Sequence, residues 1–198
     1  RMEFNLTISN FTPKPHTPFQ WHSVSIAEFQ RKRDMLATEL RTIRGLKTNY
    51  TDYQISAMED FVGRGDRRVG AGVKRAWELG AGMDAWWESV EKAHGAWTQA
   101  IEEAGLSWKY RQVEAGEWKL FEEGEGETDE ERMTGVEMDW EAIAHAPLPW
   151  DHLDTGIDKQ WLVDDLRNAL AAAVVPDCSF DACSHCGVCG LDFELNII

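Results

Sequence analysis

No run of consecutive apolar residues in this chain comes near the ~18–20 needed to span a bilayer, so a membrane-spanning helix is not expected. No signal-peptide pattern opens the sequence either. Basic residues are scarce: 20 Lys and Arg stand against 35 Asp and Glu, for a formal net charge of −15. A nucleic-acid backbone and an anionic membrane surface would both be repelled by that charge. This argues against either as the main partner and leaves room only for a local basic patch. Cysteine is missing from the first 177 residues, and its four copies lie within the twelve residues Cys178–Cys189. A disulfide framework would spread its cysteines to tie distant loops together, whereas these could close only tiny rings. Metal ligation in a cytoplasmic protein is the expectation.

What is present is enough for a core. The 198 residues are 43% hydrophobic and include ten tryptophans, which suits one compact domain or one and a half small ones. Phe4, Leu6 and Ile8 alternate with Glu3, Asn5 and Thr7, a period of two that predicts a strand. The chain begins inside that run, so the expectation is the C-terminal part of a longer polypeptide, with an initiator at Met2 as the alternative. Pro13, Pro15 and Pro18 then forbid helix and predict a stiff loop. Ser25 with Glu28 three residues on reads as a capping box. It predicts a helix to about Arg44, with Ile26, Phe29, Leu36, Leu40 and Ile43 as its buried stripe and Gly45 as its stop. Leu46–Tyr50 suits a short strand.

Helical spacing returns at Ile55, Met58, Phe61 and Val62, and again over Val69–Leu79 and Met83–Ala104. Trp77, Trp86, Trp87 and Trp97 fall in these helices and are expected in the core. The three arginines of Arg64-Gly65-Asp66-Arg67-Arg68 are expected to form ion pairs at a helix junction, with anion binding as the sharper alternative. Glu114–Glu131 carries nine carboxylates in eighteen residues and reads as a solvated insertion. A last helix is expected over about Lys159–Ala173, ended by Pro176. The resulting division is 1–50, 51–113, an acidic linker over 114–145, and a helix with a cysteine tail over 146–198.

The cysteines read Cys178-x4-Cys183-x2-Cys186-x2-Cys189. Thiolates two residues apart on a tight turn can face one centre, and Gly187 and Gly190 ease the backbone around it. Four thiolates suit tetrahedral zinc or a 4Fe–4S cluster. Structural zinc sites usually join two cysteine pairs across a spacer of ~12–20 residues, which is missing here, and the close x2 succession favours the cluster. His185, between two ligands, is read as an outer neighbour or exposed.

Ser9-Asn10-Phe11-Thr12-Pro13-Lys14-Pro15-His16-Thr17-Pro18-Phe19-Gln20-Trp21 resembles the segment after the last core strand of radical S-adenosylmethionine proteins with a cobalamin-binding domain. Pro149-Trp150-Asp151-His152-Leu153-Asp154-Thr155-Gly156 and the cysteine run look like the end of one subfamily of these, and Arg64–Arg68 and Ala76-Trp77-Glu78 are similar too. The resemblance implies a predominantly helical α+β fold: the end of a radical barrel, a helical subdomain and a metal-bound tail. It implies an upstream radical core and cobalamin domain as partners, on the same or a separate chain. S-adenosylmethionine and cobalamin belong to that full-length protein. The C-x3-C-x2-C motif that holds the catalytic cluster in this superfamily is missing, so this chain should not generate a radical alone.

Lys14 and His16 would follow the C-terminal end of a barrel strand, the face on which barrel active sites open, and could meet substrate there. Asp151, His152 and Asp154 form a polar trio in which a carboxylate could orient an imidazole, or an ordinary capping cluster. Three functions follow. The first is an auxiliary iron–sulfur centre for electron relay or substrate positioning. The second is a structural zinc staple, and the third a stand-alone electron-transfer or interaction module.

Overall fold

A computed structural model describes residues 2–111 and 140–189. The acidic stretch Glu114–Glu131 lies outside the described residues. The chain forms two compact units, Arg1–Pro13 with Ser23–Glu117, and Lys14–His22 with Trp118–Ile198. The described residues are α+β and mostly helical, with six helices and a two-stranded sheet. No helix among them is long and apolar enough to cross a membrane.

In the first unit, β1 (Phe4–Ile8) pairs in parallel with β2 (Leu46–Tyr50), in a register that sets Phe4 beside Leu46 and Ile8 beside Tyr50. Asn49 donates its side-chain amide to Asn5 across the pair at 2.7 Å. Helix α1 (Ile26–Leu40) makes the crossover that a parallel pair requires. Its start is half of the expected capping box: the Ser25 hydroxyl accepts from the Glu28 N–H at 3.3 Å, while the Glu28 carboxylate pairs with Arg31 and Lys32. Its end differs from expectation, because the helix stops at Leu40 and a turn follows to Gly45. The buried stripe also needs correction. No residue of α1 is fully buried, and Ile43 lies exposed beyond the helix end. Two strands are too narrow a platform to cover a 15-residue helix. Phe4 and Leu6 stay 55% and 40% exposed for the same reason.

The core of this unit is helical. Asp52 caps α2 (Tyr53–Gly63) by accepting from the Gln54 N–H at 2.7 Å. With α3 (Val69–Glu78) and α4 (Val90–Glu103) it encloses Met58, Phe61, Ala76, Trp97 and Ile101. Phe61 meets the edges of Trp97 and Trp108 at centroid distances of 6.3 and 5.5 Å. Of the four tryptophans expected here, only Trp97 is buried, and its indole N–H donates to Asp84 at 2.8 Å. Trp77, Trp86 and Trp87 are 71%, 61% and 83% exposed. The expected helix over Met83–Ala104 begins only at Val90, so Trp86 and Trp87 sit in turns out of phase with Trp97. In α3 the inward face is Val69, Gly72 and Ala76, and Trp77 is one step off it.

Two of the three arginines, Arg64 and Arg68, form ion pairs at a helix junction. Arg64 is buried and donates to Asp60 at 2.8 Å, to the Trp108 carbonyl at 2.6 Å and to the Tyr110 carbonyl. Arg68 pairs with Asp66 at 2.7 Å, and the Tyr110 hydroxyl donates to the same carboxylate at 2.6 Å.

The second unit has its own core of Trp21, Ile143, Leu148, Trp150, Leu162, Val163 and Leu166. Those residues come from the proline loop, from α5 (Trp140–His145), from the Pro147–Trp150 turn and from α6 (Lys159–Leu170). The buried Gln20 side chain ties them together, because its carbonyl oxygen accepts from the Trp150 indole at 2.7 Å and from the His16 N–H at 3.1 Å.

Candidate metal centre

The cysteine segment belongs to the second unit, and its central turn is fastened to the first turn of α6. Asp158 caps that helix, its carboxylate accepting from the Gln160 N–H at 2.8 Å. The Asp158 backbone N–H points the other way and donates to the Cys186 carbonyl at 2.8 Å. One turn on, the Trp161 indole N–H donates to the Ser184 carbonyl, also at 2.8 Å. Two bonds from one helical turn thus hold the Cys183-Ser184-His185-Cys186 turn by its carbonyls.

Inside that turn, the His185 N–H approaches the Cys183 sulfur at 3.3 Å. His185 has φ +57° and Gly187 φ +97°, so the backbone reverses twice within three residues. Gly187 must be glycine for two reasons. Its φ lies in the left-handed region, and a Cβ there would stand 2.7 Å from the Gly156 carbonyl oxygen. A C-x2-C-G turn with an N–H directed at the first sulfur suits a thiolate ligand, since it offers the charged sulfur a partner besides the metal.

The outer cysteines are held differently. Cys178 lies in a turn organised by Asp177, whose carboxylate accepts from the Ser179 N–H at 2.8 Å and whose carbonyl accepts from Phe180 and Asp181. Cys178, Cys183 and Cys189 are exposed and Cys186 is half-buried. Among the described residues no three His, Cys, Asp or Glu side chains are gathered into a metal-binding group. A metal would bind the cysteines as thiolates and draw them together, so ligation here would be coupled to local folding. The donor set, the N–H directed at sulfur and the glycine seat all fit a soft metal.

The other candidates are accounted for as follows. Asp151 is committed, accepting from the Leu148 N–H at 2.8 Å and from the Lys159 ammonium at 2.9 Å. Asp154 caps a turn by accepting from the Gly156 N–H at 2.8 Å. Among the described residues no hydrogen bond joins the exposed His152 to either carboxylate. His16 adopts φ +55°, and its Nε2 is buried without a hydrogen bond. Lys14 is exposed, and its carbonyl accepts from the Thr17 hydroxyl at 2.6 Å. In the first unit a cavity of about 270 Å³ opens at the C-terminal ends of β1 and β2, between Phe11, Phe29, Arg33, Tyr50 and Tyr53. Lys14 and His16 do not line it.

Sequence reasoning passed over Trp161 and Asp158 and named Gly156 only within a resembling run, yet all three seat the cysteine turn. Only Gly187, directly after a C-x2-C pair, carried a local signal of the turn they support. No family model, characterised protein or solved structure matches the chain.

Proposed function

We propose that Cys178, Cys183, Cys186 and Cys189 bind one soft metal centre, a 4Fe–4S cluster, in the C-terminal part of a radical S-adenosylmethionine enzyme. The observation that carries the metal reading is the Cys183–Cys186 turn, with its N–H directed at sulfur and its glycine seat against Gly156 and Asp158, just before α6. A disulfide or free-thiol role requires neither. The radical-enzyme reading rests on the resemblance of the proline loop and the cysteine tail. The parallel strand–helix–strand of β1, α1 and β2 supports it as the end of a barrel whose remaining strands lie upstream. Exposed Phe4 and Leu6 support the same reading, because parallel sheets are normally covered on both faces.

A cluster held by four thiolates supplies one-electron transfer, with no protein-free iron position for substrate. This chain's residues would hold the cluster near the surface and leave radical chemistry to the upstream core and its cobalamin domain. The second reading is a zinc staple, which the single preformed C-x2-C-G turn would also suit. Anaerobic reconstitution with iron and sulfide separates the two. Close to four irons per chain, with visible absorption that bleaches on reduction, is the expected result. One tightly held zinc with no iron uptake would make the tail structural.

A further inference from the structure

We propose that the metal centre is built in two halves and coupled to the stability of the second unit through the first turn of α6. Cys183 and Cys186 form a prepositioned half-site held by Trp161 and the Asp158 N–H. Metal binding then recruits Cys178 and Cys189 and tightens α6. This inference rests on the metal reading above and deepens it by naming positioning residues outside the ligand set.

The asymmetry is in the hydrogen bonds. The Cys183–Cys186 turn receives one bond from the Asp158 backbone and one from the Trp161 indole, both at 2.8 Å. Gly187 closes against the Gly156 carbonyl, so the turn is also seated sterically. Among the described residues no hydrogen bond joins the side chain of Cys178 or Cys189 to α6. The helix that carries the seat also carries the core: Leu162, Val163 and Leu166 follow Trp161 directly and are buried. A ligand that binds only the folded arrangement stabilises it by mass action, and here the stabilisation enters at the helix that organises the core. Groups that orient metal ligands from outside the ligand set typically cost ~10–100-fold in affinity when removed.

The test is an anaerobic titration of the full chain with cobalt(II), whose thiolate charge-transfer and ligand-field bands report coordination, beside thermal unfolding with and without the metal. Wild type is expected to give four-thiolate spectra and a metal-induced rise in Tm. Trp161→Phe keeps the ring in place and removes the N–H. It is expected to weaken cobalt binding about tenfold or more, to keep the four-thiolate spectrum at saturation, and to shrink the Tm rise. A purely structural tryptophan would lower the metal-free Tm and leave affinity and increment alone, and that result overturns the coupling while the metal site stands. Gly187→Ala, in the exposed tail away from the core, should weaken binding in the same way. Should Trp161→Phe fail to fold by far-UV circular dichroism, unchanged affinity in Gly187→Ala overturns the proposal by itself. Absence of any cobalt–thiolate absorption in wild type would instead remove the metal reading, and the coupling with it.

Discussion

Replacing Arg64 with methionine keeps most of the side-chain volume and removes the charge that three acceptors share. Asp60 is 2% exposed and loses its guanidinium partner at 2.8 Å, and the carbonyls of Trp108 and Tyr110 each lose a charged donor. Breaking a buried pair from one side costs about 3–5 kcal/mol, because the remaining charge loses its counter-ion. The carbonyl losses overlap with that figure, so about 4 kcal/mol is the expectation. At ~4–8 °C per kcal/mol for a unit of this size, the Tm of the first unit should fall by roughly 15–30 °C. Urea unfolding at pH 7, followed by far-UV circular dichroism, measures the loss. The double variant Asp60→Asn with Arg64→Met removes both charges and should recover at least half of it. A single-variant cost under about 1 kcal/mol would refute the reasoning, since it would mean that the guanidinium does little to hold Asp60 and the two carbonyls.

Burial holds the His22 imidazole neutral, lowering its pKa from 6.5 to about 4. The unfolded chain therefore binds the extra proton first as pH falls. The stability tied to this group is full above about pH 6.5 and is lost progressively toward pH 4, by about 3 kcal/mol in all. His22→Gln should flatten that part of the pH–stability curve of the second unit, and identical slopes in variant and wild type would contradict it. The tryptophans divide by exposure. Trp87→Ser should change stability by no more than about 0.5 kcal/mol. Trp97→Phe strips Asp84 of an indole donor at 2.8 Å and should cost about 1–3 kcal/mol, read from the same urea transitions. Equal costs for the two would contradict the burial assignment.

Local signals in the sequence proved readable where one short stretch carries them. The Ser25–Glu28 cap, the alternation of Phe4, Leu6 and Ile8, and the start of α6 at Lys159 each depend on neighbours within four residues. The arginine junction was legible in outline from arginines set among many carboxylates, but Asp60, the partner of Arg64 at the end of α2, was not singled out. What Arg64 does for the carbonyls of Trp108 and Tyr110, 44 and 46 residues away, has no local trace. The bond from Trp150 to Gln20 spans 130 residues, and together with the burial of Trp21 it ties the proline loop to the second unit. The exposed tryptophans show the converse. Trp86 and Trp87 match helical spacing only if the helix starts at Met83, and the turns before Val90 break that phase. In the proposed metal site the candidate ligands are a sequence pattern, C-x4-C-x2-C-x2-C. Their seat is not, because Trp161 and Ser184 are 23 residues apart and meet through a backbone carbonyl.

The central claim is that four thiolates share one metal, and counting protected thiols tests it most directly. The chain, loaded anaerobically with iron and sulfide, would be treated with iodoacetamide under native conditions and its modified cysteines mapped by mass spectrometry. All four cysteines are exposed or half-buried and should alkylate readily in the metal-free chain. In the loaded chain Cys178, Cys183, Cys186 and Cys189 should all be protected together, and released together by a chelator. Full alkylation of all four after loading, or protection of Cys183 and Cys186 alone, would contradict a four-thiolate centre.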